Sequence, residues 1–296
     1  MTSYALLILG FMLRRYRFVR VLLPASLSLA LLVGILLHSE RLYRETDYVS
    51  VLNVGQGQCV TAFAGDQTAV VDCGNINTLD NAGSVAGEYL VSRGRRRIEL
   101  LILTHLDTDH ADGAIRLMEM LPTDTLIYPA DTENTSGLLD GILTCAEQHG
   151  TRVTALENSA AFSCGRINAQ IYKLSNDGNE NERSLMTSLS VGGTELLITG
   201  DAPKKLERKL LRESDLSGTD ILVVGHHGAK NASAPELLEK LGGRLAVISV
   251  GYNTYGHPTY ETLERLDAYG YTIYRTDLNG SVEIHVGDSY GEENGG

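Results

Sequence analysis

The stretch Thr104-His105-Leu106-Asp107-Thr108-Asp109-His110 decides the fold and the chemistry expected of this chain. It follows the apolar run 98–104, which the pattern predicts to be a buried strand, and it precedes a predicted helix over 111–120. Four metal-binding side chains therefore share a strand-to-helix loop, where they can converge on one point. Imidazole nitrogens and carboxylate oxygens together suit Zn²⁺, Mn²⁺ or Fe²⁺. The stretch predicts a metal centre.

Around this loop, short apolar runs alternate with helical stretches from Tyr48 onward. Several runs are apolar over four or five residues, as in strands that are covered on both faces. The mixture predicts an α/β protein in which sheets pack together with helices outside. Strands are predicted at 48–54, 58–64, 68–72, 98–104, 124–128, 151–156, 169–173, 185–191, 195–199, 221–224, 245–250, 272–275 and 281–286, and helices at 83–93, 111–120, 137–149, 203–212, 235–241 and 259–269.

Length and composition fit one large α/β domain with an appendage. The chain has 296 residues, of which 43% are hydrophobic, so a large core is expected. The formal net charge of −12 means that the whole surface does not attract nucleic acid, and any attraction must come from bound metal and local cations. None of the four cysteines lies in a CxxC pair, which argues against a zinc ribbon, although Cys59 and Cys73 could be neighbours across a hairpin.

The N-terminal region carries membrane signals. The segment 21–37 has no charge over 17 residues, which is near the lower limit for a spanning helix. Arginines are concentrated just before it, so the positive-inside rule places the residues after Leu37 outside the cytoplasm. A signal peptide and a buried core helix are the alternatives. The arginines are Arg14, Arg15, Arg17 and Arg20.

A second apolar run covers residues 4–13, which is too short to cross a bilayer. We interpret it as the tail of another membrane helix, which favours a fragment or a shortened relative of a larger multi-pass protein. The sequence thus predicts a membrane segment over 1–47, a globular domain over 48–286 and a disordered tail over 287–296.

Further motifs follow the metal-binding stretch in an ordered series. The segment 70–74 reads VVDCG and places Asp72 after a predicted strand, 198–201 reads ITGD, and 224–228 reads VGHHG. The segments 53–57 and 253–258 read NVGQG and NTYGHP. Gly55 and Gly57 are expected to bend the backbone so that the first strand lies against the metal loops.

These motifs resemble a known family. The segment 105–110, HLDTDH, resembles the HxHxDH motif of the metallo-β-lactamase fold, with Asp107 in place of the middle histidine. VGQG, HxDxDH, GD, HHG and YGHP together resemble the C-terminal domain of the ComEC competence proteins, over about residues 48–286. The resemblance implies an αββα metallo-β-lactamase sandwich preceded by an N-terminal transmembrane segment.

The resemblance also implies a ligand set for one or two divalent ions. One site would hold Asp109, His110, Asp201 and His226, and the other His105, Asp107 and Asp201, with Asp201 bridging both. Relatives supply a further histidine to the site. His149 is rejected for that role because it ends a predicted helix just before Gly150, where a histidine interacts favourably with the helix dipole and faces solvent. The segment 179–184 occupies the place of that motif, so Asn181 or Ser184 is expected to approach the metal.

Metal chemistry then implies hydrolysis. Bound Zn²⁺ or Mn²⁺ activates water at neutral pH, and the oxygen-rich site created by Asp107 favours Mn²⁺. The catalytic residues are expected to be Asp201, Asp109 and His227, where His227 donates a proton or binds a phosphate oxygen, unless its role is structural. Asp72 would brace the metal loop, while Lys230 and His257 would contact substrate; a loop position for His257 without contact is the alternative.

Three functions remain open. The first is a membrane-tethered phosphodiesterase or nuclease for single-stranded DNA, outside the cytoplasm and working with other DNA-uptake proteins. The second is a hydrolase of a small ester, lactone, thioester or cyclic phosphodiester, which needs an enclosed pocket. The third is a non-catalytic DNA-binding domain, favoured by the absent histidine. The basic run 93–97 is either a solvated turn or a surface that guides DNA.

Overall fold

Two stacked seven-stranded sheets organise the chain from Tyr48 to His285. The structure is a computed structural model that describes residues 19–45, 47–76, 78–133 and 137–286. In the first sheet the strands are β1 (Tyr48–Val51), β2 (Gln56–Ala64), β3 (Gln67–Ile76), β4 (Ile98–Ile102), β5 (Thr123–Pro129), β6 (Arg152–Leu156) and β14 (Val282–His285). In the second they are β7 (Ala160–Cys164), β8 (Ile167–Tyr172), β9 (Met186–Val191), β10 (Thr194–Ile198), β11 (Ile221–Val223), β12 (Leu245–Ile248) and β13 (Thr272–Arg275).

Each sheet combines an antiparallel half with a parallel half. The first has the order β14-β1-β2-β3-β4-β5-β6 and is parallel from β3 to β6. The second has the order β13-β12-β11-β10-β9-β8-β7 and is parallel from β10 to β13. Parallel neighbours need crossover connections, and the helices supply most of them.

Ten helices are found in the described residues, together with a 3₁₀ turn at Gly225–Gly228. They are α1 (Val19–Glu45), α2 (Ala82–Ser92), α3 (Thr108–Ala111), α4 (Ala114–Met120), α5 (Leu138–His149), α6 (Glu180–Arg183), α7 (Lys204–Glu213), α8 (Pro235–Leu241), α9 (Tyr260–Ala268) and α10 (Thr276–Asn279).

Three apolar layers hold these elements together. The central layer lies between the sheets and includes Val71 and Ile102 from one sheet and Leu196 and Val223 from the other. A second layer packs the first sheet against α2, α4 and α5, and a third packs the second sheet against α7, α8 and α9. Because strands in the middle are apolar on both faces, their sequences are continuous apolar runs. The order helix, sheet, sheet, helix is the αββα sandwich that the sequence analysis expects.

The N-terminal prediction is met only in part. The structure separates into a unit that ends at Arg44 and a unit that begins at Glu45. The predicted spanning segment 21–37 lies within α1, and the side chains of residues 22–36 are exposed. None of the helices in the described ranges has the length and apolarity needed to cross a bilayer. The membrane-spanning role of this segment stays a prediction, while the apolar run 4–13 and the tail 287–296 lie outside the described residues.

Candidate metal centre

The candidate site lies where parallel strands of both sheets reach their carboxyl ends. His105 follows β4, Asp201 follows β10, and His227 follows β11, while Asp72 lies within β3. Carboxyl ends of neighbouring parallel strands meet at one edge of a sheet, so residues far apart in sequence converge there. The loop that carries the HxDxDH motif is thereby brought to the end of the second sheet.

Asp72 is the buried brace of the metal loop. Its Oδ1 accepts the Thr104 backbone N–H at 2.7 Å, and its Oδ2 accepts the Thr104 hydroxyl at 2.8 Å, the Gln58 amide at 2.7 Å and His110 Nδ1 at 2.8 Å. The residue is fully buried and has a φ of 59°, which residues other than glycine rarely adopt. Four hydrogen bonds thus fix the carboxylate, and through it the orientation of His110.

The first group of ligand atoms consists of His105, His110 and Asp201, all of which are buried. His110 Nε2 lies 3.1 Å from Asp201 Oδ1, and His105 Nε2 lies 3.7 Å from Asp201 Oδ2. His105 Nε2, His110 Nε2 and Asp201 Oδ1 have no hydrogen-bond partner. Buried polar atoms normally have hydrogen-bond partners. Three buried atoms without one, each able to act as a metal ligand and facing the others, therefore fit a bound cation.

The second group consists of Asp109, His110 and His227. His227 Nε2 lies 3.1 Å from Asp109 Oδ2, and its Nδ1 lies 2.8 Å from the Ser249 carbonyl oxygen. A carbonyl oxygen can only accept, so Nδ1 carries the proton and Nε2 has a lone pair in the neutral ring. A lone pair that faces a carboxylate oxygen needs a proton or a cation between them, which again fits a metal ion.

The same tautomer follows for the other two histidines. The Thr104 hydroxyl donates to Asp72, so its oxygen accepts from His105 Nδ1 at 3.0 Å. His110 Nδ1 donates to the Asp72 carboxylate. In the neutral form that a metal ligand requires, each of the three imidazoles therefore directs an Nε2 lone pair toward the carboxylates, as histidine ligands oriented by a partner do.

His226 and its neighbour His227 have different environments. The His226 Nε2 lies 3.6 Å from Asp201 Oδ2, its side chain is 23% exposed, and its ring packs edge-on against His257 at a centroid distance of 5.4 Å. The sequence analysis places His226 on the metal and leaves His227 free. His227 is buried and joins a ligand group, and the assignment of His226 stays a prediction. Both residues have positive φ, which turns two adjacent side chains in different directions.

Charges within the group shift the pKa values in opposite directions. Burial and the charge of His110 lower the pKa of His105 to about 4. Burial also disfavours the charged form of His110, but Asp201 and Asp72 outweigh it and raise the pKa of His110 well above its usual value. Burial opposes ionisation of Asp201, yet His110 and His105 hold its pKa well below the usual range.

The two carboxylates of the loop differ from each other. Burial opposes ionisation of Asp109, but its contact with His227 and the charge of His110 lower its pKa to about 2. Burial and the nearby Asp109 and Asp201 raise the pKa of Asp107, whose side chain is 47% exposed. An accumulation of carboxylates with an exposed member leaves negative charge that a divalent cation would neutralise.

The NVGQG segment supports this site. A Cβ built on Gly57 would lie 2.1 Å from the Gly74 carbonyl oxygen and 2.8 Å from that of Asp109, and one on Gly251 would lie 2.3 Å from the Gly55 carbonyl carbon. The predicted close approach of this segment to the metal loop is therefore confirmed. Sequence reasoning missed Gln58, which binds Asp72, although it directly follows the motif.

Several predicted residues approach the site only indirectly. The Ser184 hydroxyl accepts the Asp201 backbone N–H at 3.3 Å, whereas in the described part of the chain the Asn181 side chain makes no hydrogen bond to the site. Lys230 is exposed and pairs with Glu261 at 2.7 Å. His149 is exposed at the end of α5.

The basic run 93–97 contributes mainly to the structure. Arg93 pairs with Glu283, the buried Arg95 donates to the Gly65 carbonyl oxygen, and Arg97 pairs with Asp124. These partners favour a structural role over a surface that guides DNA.

Comparison with known proteins adds family information. Residues 52–145 match the Metallo-beta-lactamase superfamily. The chain is 29% identical over 277 residues to competence protein ComA of Neisseria gonorrhoeae, which covers 90% of this chain and 37% of that protein. It is 26% identical over 208 residues to ComE operon protein 3 of Bacillus subtilis (strain 168), which covers 69% of this chain and 26% of that protein. The chain thus spans well under half the length of these relatives.

Among solved structures, the metallo-beta-lactamase fold protein YhfI from Bacillus subtilis superimposes with a TM-score of 0.55. The alignment covers 80% of this chain and 100% of that one at 10% identity. A likeness at this identity concerns the fold alone, and it agrees with the helix, sheet, sheet, helix order described above.

Proposed function

Because the chain carries a metallo-β-lactamase-fold domain of the ComEC competence family, we propose that it is a membrane-tethered, metal-dependent phosphodiesterase that cleaves single-stranded DNA during uptake. The observation that carries the proposal is the pair of overlapping ligand groups, whose atoms lie within 4.8 Å of one another in each group. Exposed apolar side chains along α1 support the membrane tether. Other DNA-uptake proteins are the expected partners.

The proposed ligand assignment follows from the hydrogen bonds. His110 has only Nε2 free, because Nδ1 is held by Asp72, so it can serve one ion. We assign His110 to one ion with Asp109 and His227, and His105 with Asp107 to the other. Asp201 would be shared by both ions, since its carboxylate faces His105 and His110 with different oxygens.

An ion in this site supplies a Lewis acid for phosphate oxygens and lowers the pKa of a water molecule toward ~7. Carboxylates outnumber imidazoles around His105, which favours Mn²⁺ over Zn²⁺ at that position. His226 and His257 lie at the open side, and each has a buried Nδ1 without a hydrogen-bond partner. These rings are placed to hold a phosphate oxygen or to donate a proton to the leaving oxygen.

A small group of cations supports a polyanionic substrate in spite of the net charge of −12. Partial burial and the charges of Arg265, Arg208 and Lys230 lower the pKa of Lys204. Lys204 and Arg265 donate to backbone carbonyl oxygens of the loop that follows His227, Lys204 to that of Lys230 and Arg265 to those of Ala232 and Ser233. Arg208 pairs with Glu236 and Lys230 with Glu261, so the excess positive charge is small.

We therefore expect the full chain to cleave a labelled single-stranded oligonucleotide in Mn²⁺, and to bind it weakly after metal removal. Binding depends on the metal and few cations, so the salt dependence should correspond to about 2–3 phosphate contacts, with a slope of log K against log[salt] near −1.4 to −2. Metal content measured by mass spectrometry and anisotropy titrations at several salt concentrations test this, with chelator-treated protein as the control.

A steep salt slope would reveal a basic surface that the proposal does not contain. A fully metallated chain that ignores DNA and RNA but hydrolyses a small ester or a cyclic phosphodiester would move the function to small substrates. A fully metallated chain that binds DNA and hydrolyses none of these substrates would indicate a binding domain.

The proposed topology has its own test. Arginines before residue 21 and a mixed-charge flank after residue 37 favour an extracytoplasmic hydrolase domain. A reporter that is active only in the cytoplasm should give no signal when fused after Glu45, and the same reporter fused ahead of Met1 is the control. Strong activity of the Glu45 fusion would reverse the orientation.

A further inference from the structure

The loop over residues 251–258, here called the tyrosine loop, has its shape fixed by one side chain. Asn253 Nδ2 donates to the carbonyl oxygens of Gly251 at 3.0 Å and His257 at 2.8 Å. Its Oδ1 accepts the backbone N–H groups of Tyr255 and His257, both at 3.1 Å. The Gly251 N–H also donates to Gln56 Oε1 at 3.2 Å, which ties the loop to the first sheet.

This ordered loop presents two aromatic rings to solvent. Tyr252 is 80% exposed and Tyr255 is 60% exposed. A tyrosine has only two side-chain torsions, and a backbone that is already fixed loses little further freedom when a ligand binds. The tyrosine loop therefore offers large flat surfaces at low entropic cost.

One of the two exposed rings, that of Tyr255, connects to the metal centre through a row of side chains. The Tyr255 ring lies 6.0 Å from the His257 ring, and the His257 ring lies 5.4 Å from the His226 ring, measured between centroids. His226 Nε2 lies 3.6 Å from Asp201 Oδ2. A strand with a phosphate at the metal centre would thus pass beside the tyrosine loop.

Charge alone cannot supply much of the binding, because the protein is acidic and its nearby cations are partly paired. Stacking of a base on an aromatic ring does not depend on net charge and tolerates any base, since every base has a π face. Bases in a duplex are already stacked on their neighbours, so such a surface selects single strands.

We propose that Tyr252 and Tyr255 form a stacking platform for bases of single-stranded DNA next to the phosphate at the metal centre. This inference rests on the proposed function and adds its binding subsite. It predicts single-strand preference without base specificity.

The test measures binding of a nuclease-resistant phosphorothioate single strand to the full chain in Mn²⁺. The double variant Tyr252→Ala/Tyr255→Ala should bind at least about 25-fold more weakly, because each of two stacked bases contributes roughly 5-fold or more in affinity. Its metal content should equal that of the unmodified chain. Tyr252→Phe/Tyr255→Phe should retain the affinity, since the ring carries the contact, and Tyr274→Ala, at a tyrosine that is 40% exposed on β13, is the matched control.

A single strand with abasic sites gives the second half of the comparison, because it removes the bases instead of the tyrosine rings. The unmodified chain should bind it about as weakly as the double alanine variant binds the normal strand, while the variant should not distinguish the two strands. Equal affinity of the variant and the unmodified chain for the normal strand would overturn the platform but leave the proposed function intact, as would loss of binding in the phenylalanine variant. Failure of the unmodified chain to bind any single strand would overturn both.

Discussion

Asp201→Ala should abolish hydrolysis and deplete the bound metal of the full chain. The carboxylate faces the Nε2 atoms of His105 and His110, and no other carboxylate of the described residues joins that ligand group. Its loss leaves both proposed ions short of a ligand. Loss of a residue that only orients a ligand costs about 10–100-fold in metal affinity, so we expect a fall of at least about 100-fold. Metal content after dialysis and the cleavage rate are the measurements.

His149→Ala is the matched control, because it removes an imidazole from an exposed helix end. It should change neither metal content nor rate. Asp201→Asn preserves the size of the side chain, so a similar loss in that variant would exclude misfolding as the cause. If His149→Ala strips metal as completely as Asp201→Ala, the missing histidine motif lies in α5 and the proposed ligand set is wrong.

The second large effect separates two adjacent histidines. His227→Ala should lower metal affinity by at least about 100-fold, since His227 is buried and its Nδ1 is held by the Ser249 carbonyl oxygen. His226→Ala should leave metal content nearly intact and reduce the cleavage rate, because His226 lies at the open side beside His257. Metal titration and cleavage assays on the two variants give the comparison.

The reversed pattern would restore the assignment expected from sequence, with His226 on the ion and His227 beside it. Equal metal loss in both variants would instead mean that the two imidazoles share the ions. His285→Ala, at an exposed histidine on β14, serves as the control for removing a histidine elsewhere in the fold.

The layered fold was predictable because its core strands are apolar on both faces. The strand predicted at 98–104 begins where β4 begins and extends two residues beyond its end, and the helix predicted at 235–241 coincides with α8. The strand β7 was missed, because Ala160–Cys164 alternates between partly buried and exposed positions at the end of its sheet and carries few large apolar residues. The helix predicted at 111–120 proved to be α3 and α4, separated by Asp112 and Gly113.

The sequence predicted which residues form the site, but it did not predict the orientation of their side chains. The motifs brought His105, His110 and Asp201 forward as candidates, and the structure places them together. The directions of the His226 and His227 side chains depend on a left-handed backbone at both residues, which the residue pattern does not predict. The orientation of the imidazoles likewise depends on Thr104 and Ser249, whose types carry no metal signal.

Three close glycine contacts around the candidate metal centre have a consequence for mutational tolerance. Gly57, Gly74 and Gly251 each meet backbone atoms so closely that no side chain fits. A scan of single substitutions should therefore score these positions as intolerant as the ligands, although none of them offers a functional group. A screen that assigns catalytic roles to all positions intolerant of substitution would therefore include these glycines in the active site by mistake. Their intolerance comes from the lack of space for a side chain.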